Sequence, residues 1–258
     1  MPLFGKKILV TRAKDQSSSF IEKLFKAGAK PISLPIVSYE LIEKEIYNKR
    51  IINNLSEYNW IFFTSQNAVR FFFEILTKNC YDSRALSKCQ VAAVGYKTRS
   101  ELEKYNIRAD FIPKRFSFED LLNELSERMN LNGKKILYPT QIETCHGMSQ
   151  RNIKTWDIYK ANFIEKIDDE IINQIKDGID IITFFSSNTA KHFAKLISVG
   201  ACRVIALAAI GDETSKTVKD LFGKVDIIAE PFTEDGLMDS MERFYAEHHL
   251  KIQTQTVT

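Results

Sequence analysis

The chain has 258 residues, 44% of them hydrophobic, and Lys+Arg 36 against Asp+Glu 33 gives a formal net charge of +3. That length supports one large domain or two ordinary ones, and the near balance of charge lacks the basic footprint of a nucleic-acid binder. The start, MPLFGKKILVTR, has no apolar stretch of signal-peptide length and no run of about 18 apolar residues occurs anywhere, so a soluble cytoplasmic protein with no membrane partner is expected.

In chain order, short β-rich runs alternate with helical periods. The pattern predicts a strand over 7–11, an amphipathic helix over 16–27 with Phe20, Leu24 and Ala27 on one face, and a short strand over 31–35. A polar stretch to about Lys49 precedes a helix around 50–55 and a strand over 60–63. Helix 67–76, strand 91–94, helix 97–105, strand 109–112, helix 118–129 and strand 135–138 follow. After a weak region come strand 179–185, helix 189–197, strand 204–210, helix 213–222, strand 225–228 and helix 234–246. Such alternation argues for parallel sheets covered by helices on both faces.

Two echoes cut across this order. Gly95-x-x-Thr98, Phe116 and Leu121 recur as Gly211-x-x-Thr214, Phe232 and Leu237 at a constant offset of 116, whereas Gly5-Lys6-Lys7-Ile8-Leu9 recurs as Gly133-Lys134-Lys135-Ile136-Leu137 at an offset of 128. Unequal offsets imply two similar α/β halves whose strands are not simply consecutive. If the first GKK run opens one sheet and the second belongs to the other, one domain is discontinuous, 1–37 with 163–258, and 38–162 is inserted into it. A cleft between two such halves, tied by two chain crossings, is the expected place for function.

Cys80, Cys89, Cys145 and Cys202 form no CxxC pair, and His146, His192, His248 and His249 form no HxxxH or HExxH pattern. Neither a zinc site nor redox chemistry is expected. The run Phe71-Phe72-Phe73 reads as core. Neither GxGxxG nor a Walker loop occurs, which disfavours a flavodoxin-like nucleotide binder.

The segments ILVTR (8–12), WIFFTSQNAVRFF (60–72), VAAVGYKTRSELEKYNI (91–107), ILYP (136–139), ITFFSSNTAKHF (182–193) and AAIGDETSKTV (208–218), in that order, resemble the uroporphyrinogen-III synthase family over almost the whole chain. The resemblance implies two doubly wound parallel-sheet (flavodoxin-like) domains joined by a two-stranded linker, one domain being discontinuous. It implies a monomeric enzyme that cyclises the small molecule hydroxymethylbilane to uroporphyrinogen III, inverting the last pyrrole ring and losing water, with no metal or organic cofactor.

Such chemistry asks mainly for geometry, because the uncatalysed bilane closes without inversion. The substrate's many carboxylates suit helix N-termini, which in open parallel sheets lie at the carboxyl ends of strands. The strand-to-helix turns Thr64-Ser65, Gly95 to Thr98, Ser186-Ser187 and Gly211 to Thr214 are therefore candidates. Their hydroxyls also fit ordinary N-caps, and Thr98-Arg99-Ser100-Glu101 fits a capping box. The resemblance favours substrate contact for Thr98 and Thr214, and less strongly for Ser65 and Ser186, with Ser187, Gly95 and Gly211 in the same turns. Arg12, Lys14, Lys97 and Arg99 are candidate carboxylate partners, Arg12 and Lys97 foremost, whereas His146 and His192 are weak. Tyr159, in Trp156-Asp157-Ile158-Tyr159-Lys160, aligns with the family tyrosine proposed to assist departure of the hydroxyl, a general-acid role; the alternative is a strand tyrosine held by packing.

One stretch departs from the family pattern. Residues 140–153, TQIETCHGMSQRNI, contain no convincing helix where the family has one, so a piece about two turns long is missing. That keeps open a non-catalytic tetrapyrrole-binding or regulatory protein of the same fold.

Overall fold

The structure is a computed structural model that describes residues 1–142, 152–197 and 205–255. The chain divides into two compact units, Met1–Ser38 with Asn162–Thr258, and Tyr39–Ala161.

The discontinuous unit holds strands β1 (Lys7–Val10) and β2 (Lys30–Ser33) with helix α1 (Lys14–Lys26) between them. The chain leaves through β3 (Val37–Leu41) and enters the second unit's α2 (Glu45–Asn53), β4 (Trp60–Phe63), α3 (Gln66–Lys78), β5 (Gln90–Ala93), α4 (Tyr96–Glu103), α5 (Phe118–Arg128) and β6 (Ile136–Gln141). It returns through the long β7 (Ile153–Phe163) to α6 (Asp169–Lys176), β8 (Ile181–Phe184), α7 (Ser187–Leu196), β9 (Ala206–Ala209), α8 (Asp212–Phe222), β10 (Ile227–Ile228) and α9 (Glu234–Gln255). Both passages between the units thus run inside β3 and β7, which are neighbours in one sheet.

The sheets run β10-β9-β8-β1-β2 and β3-β7-β6-β4-β5. Pairing is parallel from β10 to β2 and from β5 to β7. Side chains alternate across each strand, so both faces must be buried when helices cover both. In β4, Trp60 and Phe62 enter one core while Ile61 and Phe63 enter another. In β1, Ile8 and Val10 pack on one face and Leu9 on the other.

Laying β8-β9 on β4-β5 and β1-β2 on β6-β7 superposes the two strand orders and explains the unequal offsets. In one unit the β1-β2 pair precedes its partners in the chain; in the other the corresponding β6-β7 pair follows them, so the two units are circularly permuted relative to each other. Small details obey the same mapping. Gly5 and Gly133 both enter their strands with φ near +75° (75° and 74°), a left-handed conformation that glycine adopts without penalty. The backbone N–H of Val91 donates to the Asp110 carboxylate at 2.7 Å, and that of Leu207 donates to Asp226 at 2.8 Å, again 116 residues on.

Several predicted elements need correction. The polar stretch before Lys49 contains β3, whose alternating burial keeps Ser38 and Glu40 outward, and α2 begins at Glu45, not near Arg50. The predicted strand 109–112 reduces to one bridge, Ala92 with Phe111. The weak region holds α6, which lacks a fully buried residue and was masked by its half-buried Ile171, Ile172 and Ile175. Thr140 and Gln141 extend β6, and residues 143–151 of the stretch expected to lack a helix lie outside the described residues. Cys145, His146 and Cys202 lie there or in the similarly undescribed 198–204. No helix among the described residues is long and apolar enough to cross a membrane.

Candidate active site

Strands β4 and β5 end side by side, with the Val94 N–H donating to the Phe63 carbonyl at 3.0 Å, and β8 and β9 end likewise through Ile210 and Phe184 at 3.0 Å. Each end therefore presents two adjacent strand-to-helix turns, one carrying serines and one carrying glycine. The four turns are not equivalent.

The serine turns satisfy themselves. Ser65 Oγ accepts the Ala68 N–H at 3.0 Å and caps α3, and Ser186 Oγ accepts the Thr189 N–H at 3.2 Å and caps α7. Ser187 donates to the Glu213 carbonyl at 3.2 Å. An N-cap oxygen occupies the first-turn donors that an anion would otherwise use.

The glycine turns stay open. Gly95 and Gly211 are themselves the N-caps of α4 and α8, in extended backbone and without any side-chain cap. The expected capping box at Thr98 does not form, because α4 starts at Tyr96 and Thr98 is already its third residue. Glu101, the other half of that box, is buried and instead accepts from Lys104 Nζ at 2.7 Å. Thr98 and Thr214 are only 5% and 6% exposed. Among the described residues neither hydroxyl has a hydrogen-bond partner, yet no buried polar side-chain atom lacks one, so both hydroxyls reach the surface. The first-turn N–H groups of Tyr96 and Thr98 together with the Thr98 hydroxyl thus form an uncapped donor cluster. The matching turn of α8 carries Asp212 and Glu213, whose charge already answers the helix dipole; α4 has no acidic residue there and an exposed Lys97.

Tyr159 joins this end of the inserted unit. Its register opposite Gln141, the last residue of β6, sets it at the carboxyl end of the sheet. The phenol lies 3.1 Å from Ser65 Oγ, stacked on Phe71 (5.1 Å between centroids, 16°) with Tyr39 at its edge. Burial pushes the hydroxyl up to about 12, and the Ser65 hydrogen bond pulls the other way. Tyr159 is therefore protonated at neutral pH and can give a proton but not take one. Since Ser65 already accepts from Ala68, one hydroxyl proton of the Ser65–Tyr159 pair remains available to a ligand whichever oxygen donates to the other. Tyr138 makes the analogous contact one strand over, 3.2 Å from Thr64 Oγ1; nothing but its place in ILYP marked it in the sequence.

In the other unit, Ser186, Ser187 and Thr214 do come together, lining a pocket of about 220 Å³ with Phe185, Asn188 and Glu213. Arg12 at the end of β1 is already engaged: its guanidinium pairs with Glu234 and lies 4.9 Å over the Phe185 ring. Arg99 is likewise tied to Glu103 at 2.8 Å, while Lys14 is exposed at the start of α1. His192 bonds the Ile164 carbonyl at 2.6 Å and stacks on Phe163, a structural role. Phe71, Phe72 and Phe73 are 6%, 0% and 3% exposed, which makes them core as expected. Among the described residues no group of acidic, histidine and cysteine side chains is arranged to hold a metal ion.

With this geometry in view, the comparisons with known proteins are specific. The uroporphyrinogen-III synthase HemD family model matches residues 18–239. The chain is 28% identical to a uroporphyrinogen-III synthase of Synechococcus elongatus over 94% of its own length and 97% of that protein. It is 29% identical to a porphyrin biosynthesis protein HemD of Ruminiclostridium josui over 93% of its length, and spans about half (49%) of that longer protein. Its fold is similar to the crystal structure of a mutant uroporphyrinogen III synthase from Thermus thermophilus, with a TM-score of 0.64 at 13% identity, covering 94% of this chain and 100% of that one. The family match extends over both units and most of the chain's length, and the chain belongs to the uroporphyrinogen-III synthase family, cyclising lyases of haem biosynthesis.

Proposed function

We propose that this chain converts hydroxymethylbilane to uroporphyrinogen III, closing the macrocycle with inversion of the last pyrrole ring. The observation that best supports a working site is the uncapped donor cluster of Gly95 to Thr98 on the strand end next to the Ser65–Tyr159 pair. The cluster, with Lys97 beside it, binds carboxylate arms of the bilane through main-chain N–H groups, where a dipole and a cation both favour negative charge. Gly211, Thr214, Ser186, Ser187 and Arg12 supply further substrate contacts, Arg12 by exchanging Glu234 for a substrate carboxylate.

The chemical step needs one proton delivered and one released. Electrons from the pyrrole nitrogen expel the hydroxymethyl oxygen, which leaves as water with a proton from Tyr159. The methylene carbon so exposed bonds to the substituted α-carbon of the last ring, giving a spiro intermediate. The bond from that carbon to its former methylene bridge then breaks, and the freed methylene closes on the ring's unsubstituted α-carbon. The proton lost there as the ring regains its aromaticity restores the phenol, so the balance is one water per macrocycle. Holding the bilane folded with its last ring turned is the larger task, since proximity and orientation decide which carbon closes the ring. We read the enzyme as a cytoplasmic monomer working without cofactor, on the basis of its near-neutral charge and its single small-molecule substrate.

Incubation of the purified protein with hydroxymethylbilane, followed by separation of the isomers, tests the reading. Isomer III is expected to predominate; mainly isomer I, as in the enzyme-free control, would leave a tetrapyrrole-binding protein without synthase activity.

A further inference from the structure

The repeated template contains a feature that core packing does not explain. Its leucines, Leu121 and Leu237, are 0% exposed, as core positions should be, but its phenylalanines, Phe116 and Phe232, are 57% and 49% exposed. A single exposed aromatic is ordinary. Two at equivalent positions of two units, each lying against the open N-cap glycine, mark a position held outward. A Cβ built on Gly95 would stand 3.6 Å from Phe116 Cγ, and one on Gly211 would stand 3.4 Å from Phe232 Cγ. In the inserted unit a second ring joins: Tyr96, 64% exposed, meets Phe116 edge to face at 5.5 Å and 76°. Tyr96 is also the first residue of α4, so this aromatic edge and the uncapped donors share one turn. The matching position beside Phe232 is Asp212, which gives that side no second ring.

Building on the synthase reading, we infer that Phe116 and Tyr96 form the surface on which a pyrrole ring of the bilane rests while that ring's carboxylate arm reaches the N–H groups of Tyr96 and Thr98. The substrate alternates flat, electron-rich rings with short acidic arms, and this turn offers both complements within one side chain's reach. Aromatic hydrogens carry the positive edge of the ring quadrupole and suit an electron-rich face. A surface shared by bound substrate and bound product acts on affinity more than on the chemical step, so its loss raises KM and leaves kcat nearly unchanged. Phe116 and Tyr96 are thus positioning residues of the proposed reaction, and their solvent exposure is what the bound ring removes.

The test compares Phe116→Ala, Phe116→Leu and Phe116→Tyr with wild type, measuring KM, kcat, the dissociation constant of the octacarboxylate product uroporphyrinogen III, and thermal midpoints. Because Phe116 is mostly in water, the midpoints are expected to stay together. Phe116→Ala and Phe116→Leu are expected to raise KM and the product dissociation constant about tenfold with kcat within about twofold, and Phe116→Tyr to behave as wild type. Should Phe116→Ala fold poorly, Phe116→Leu keeps the apolar contact with Gly95 and still removes the ring. Unchanged product affinity in Phe116→Leu, or equal losses in Phe116→Tyr and Phe116→Leu, overturns the inference. The wild-type isomer ratio judges the synthase reading separately, since product affinity is measured without turnover.

Discussion

Tyr159→Phe is expected to lower kcat about a hundredfold, at the low end of general-acid contributions, with KM little changed. The ring keeps its stack on Phe71, and Ser65 keeps its cap on α3, so only the hydroxyl and its 3.1 Å contact with Ser65 are lost. The pH dependence adds a second check. Burial raises the phenol from 10.0 to about 12, so the folded state favours the neutral form. Its contribution to folding is fully present below pH 10 and disappears as pH rises from 10 through about 12. No limb of the wild-type rate profile below about pH 10 then belongs to Tyr159, and the deficit of the variant is the same at pH 6 as at pH 9. Equal rates for wild type and Tyr159→Phe would remove the phenol from the mechanism.

Trp156→Ala should destabilise the inserted unit by about 4 kcal/mol, the range for emptying a fully buried aromatic site. Trp156 is 0% exposed on the same strand as Tyr159, with Phe72 edge-on at 5.8 Å. Its indole N–H donates to Asn48 Oδ1 at 3.0 Å, so truncation also strips a buried amide of its partner. Trp156→Phe, which fills most of the volume but not that hydrogen bond, should lose roughly half as much. Urea unfolding followed by circular dichroism measures the difference, and a loss below about 1 kcal/mol for Trp156→Ala would contradict this packing.

Much of the fold was legible because its strands are buried on both faces and so stand out as apolar runs: Trp60–Phe63 was located to the residue. The GxxT and GKKIL echoes also carried the two-unit plan, since each marks a backbone event: an open helix start in the first case and a left-handed turn in the second. Elements that bury little were hidden. The strand Val37–Leu41 and helix Asp169–Lys176 show weak patterns because one face or more stays wet. The candidate site was legible by type but not by state. Spacing found Ser65, Thr98, Ser186 and Thr214 alike, yet only coordinates separate the serines, which cap their own helices, from the threonines, which do not. Nor could charge counting reveal that Arg12 is met by Glu234, because the two lie 222 positions apart. The run Phe71–Phe73 was legible as core and is buried, whereas Phe116 and Phe232 stood in the sequence only as markers of the repeat, with nothing in their spacing to show that they face water.

In the proposed reaction substrate acids are met by main-chain donors at the glycine turns. Backbone amide chemical shifts recorded during titration with uroporphyrinogen III test it most directly. The largest changes are expected at Tyr96 and Thr98, with smaller ones at Asp212 to Thr214, where acidic side chains compete. Changes confined to the pocket of about 650 Å³ lined by Glu43, Lys49, Lys78 and Cys80, with the glycine turns silent, would contradict it.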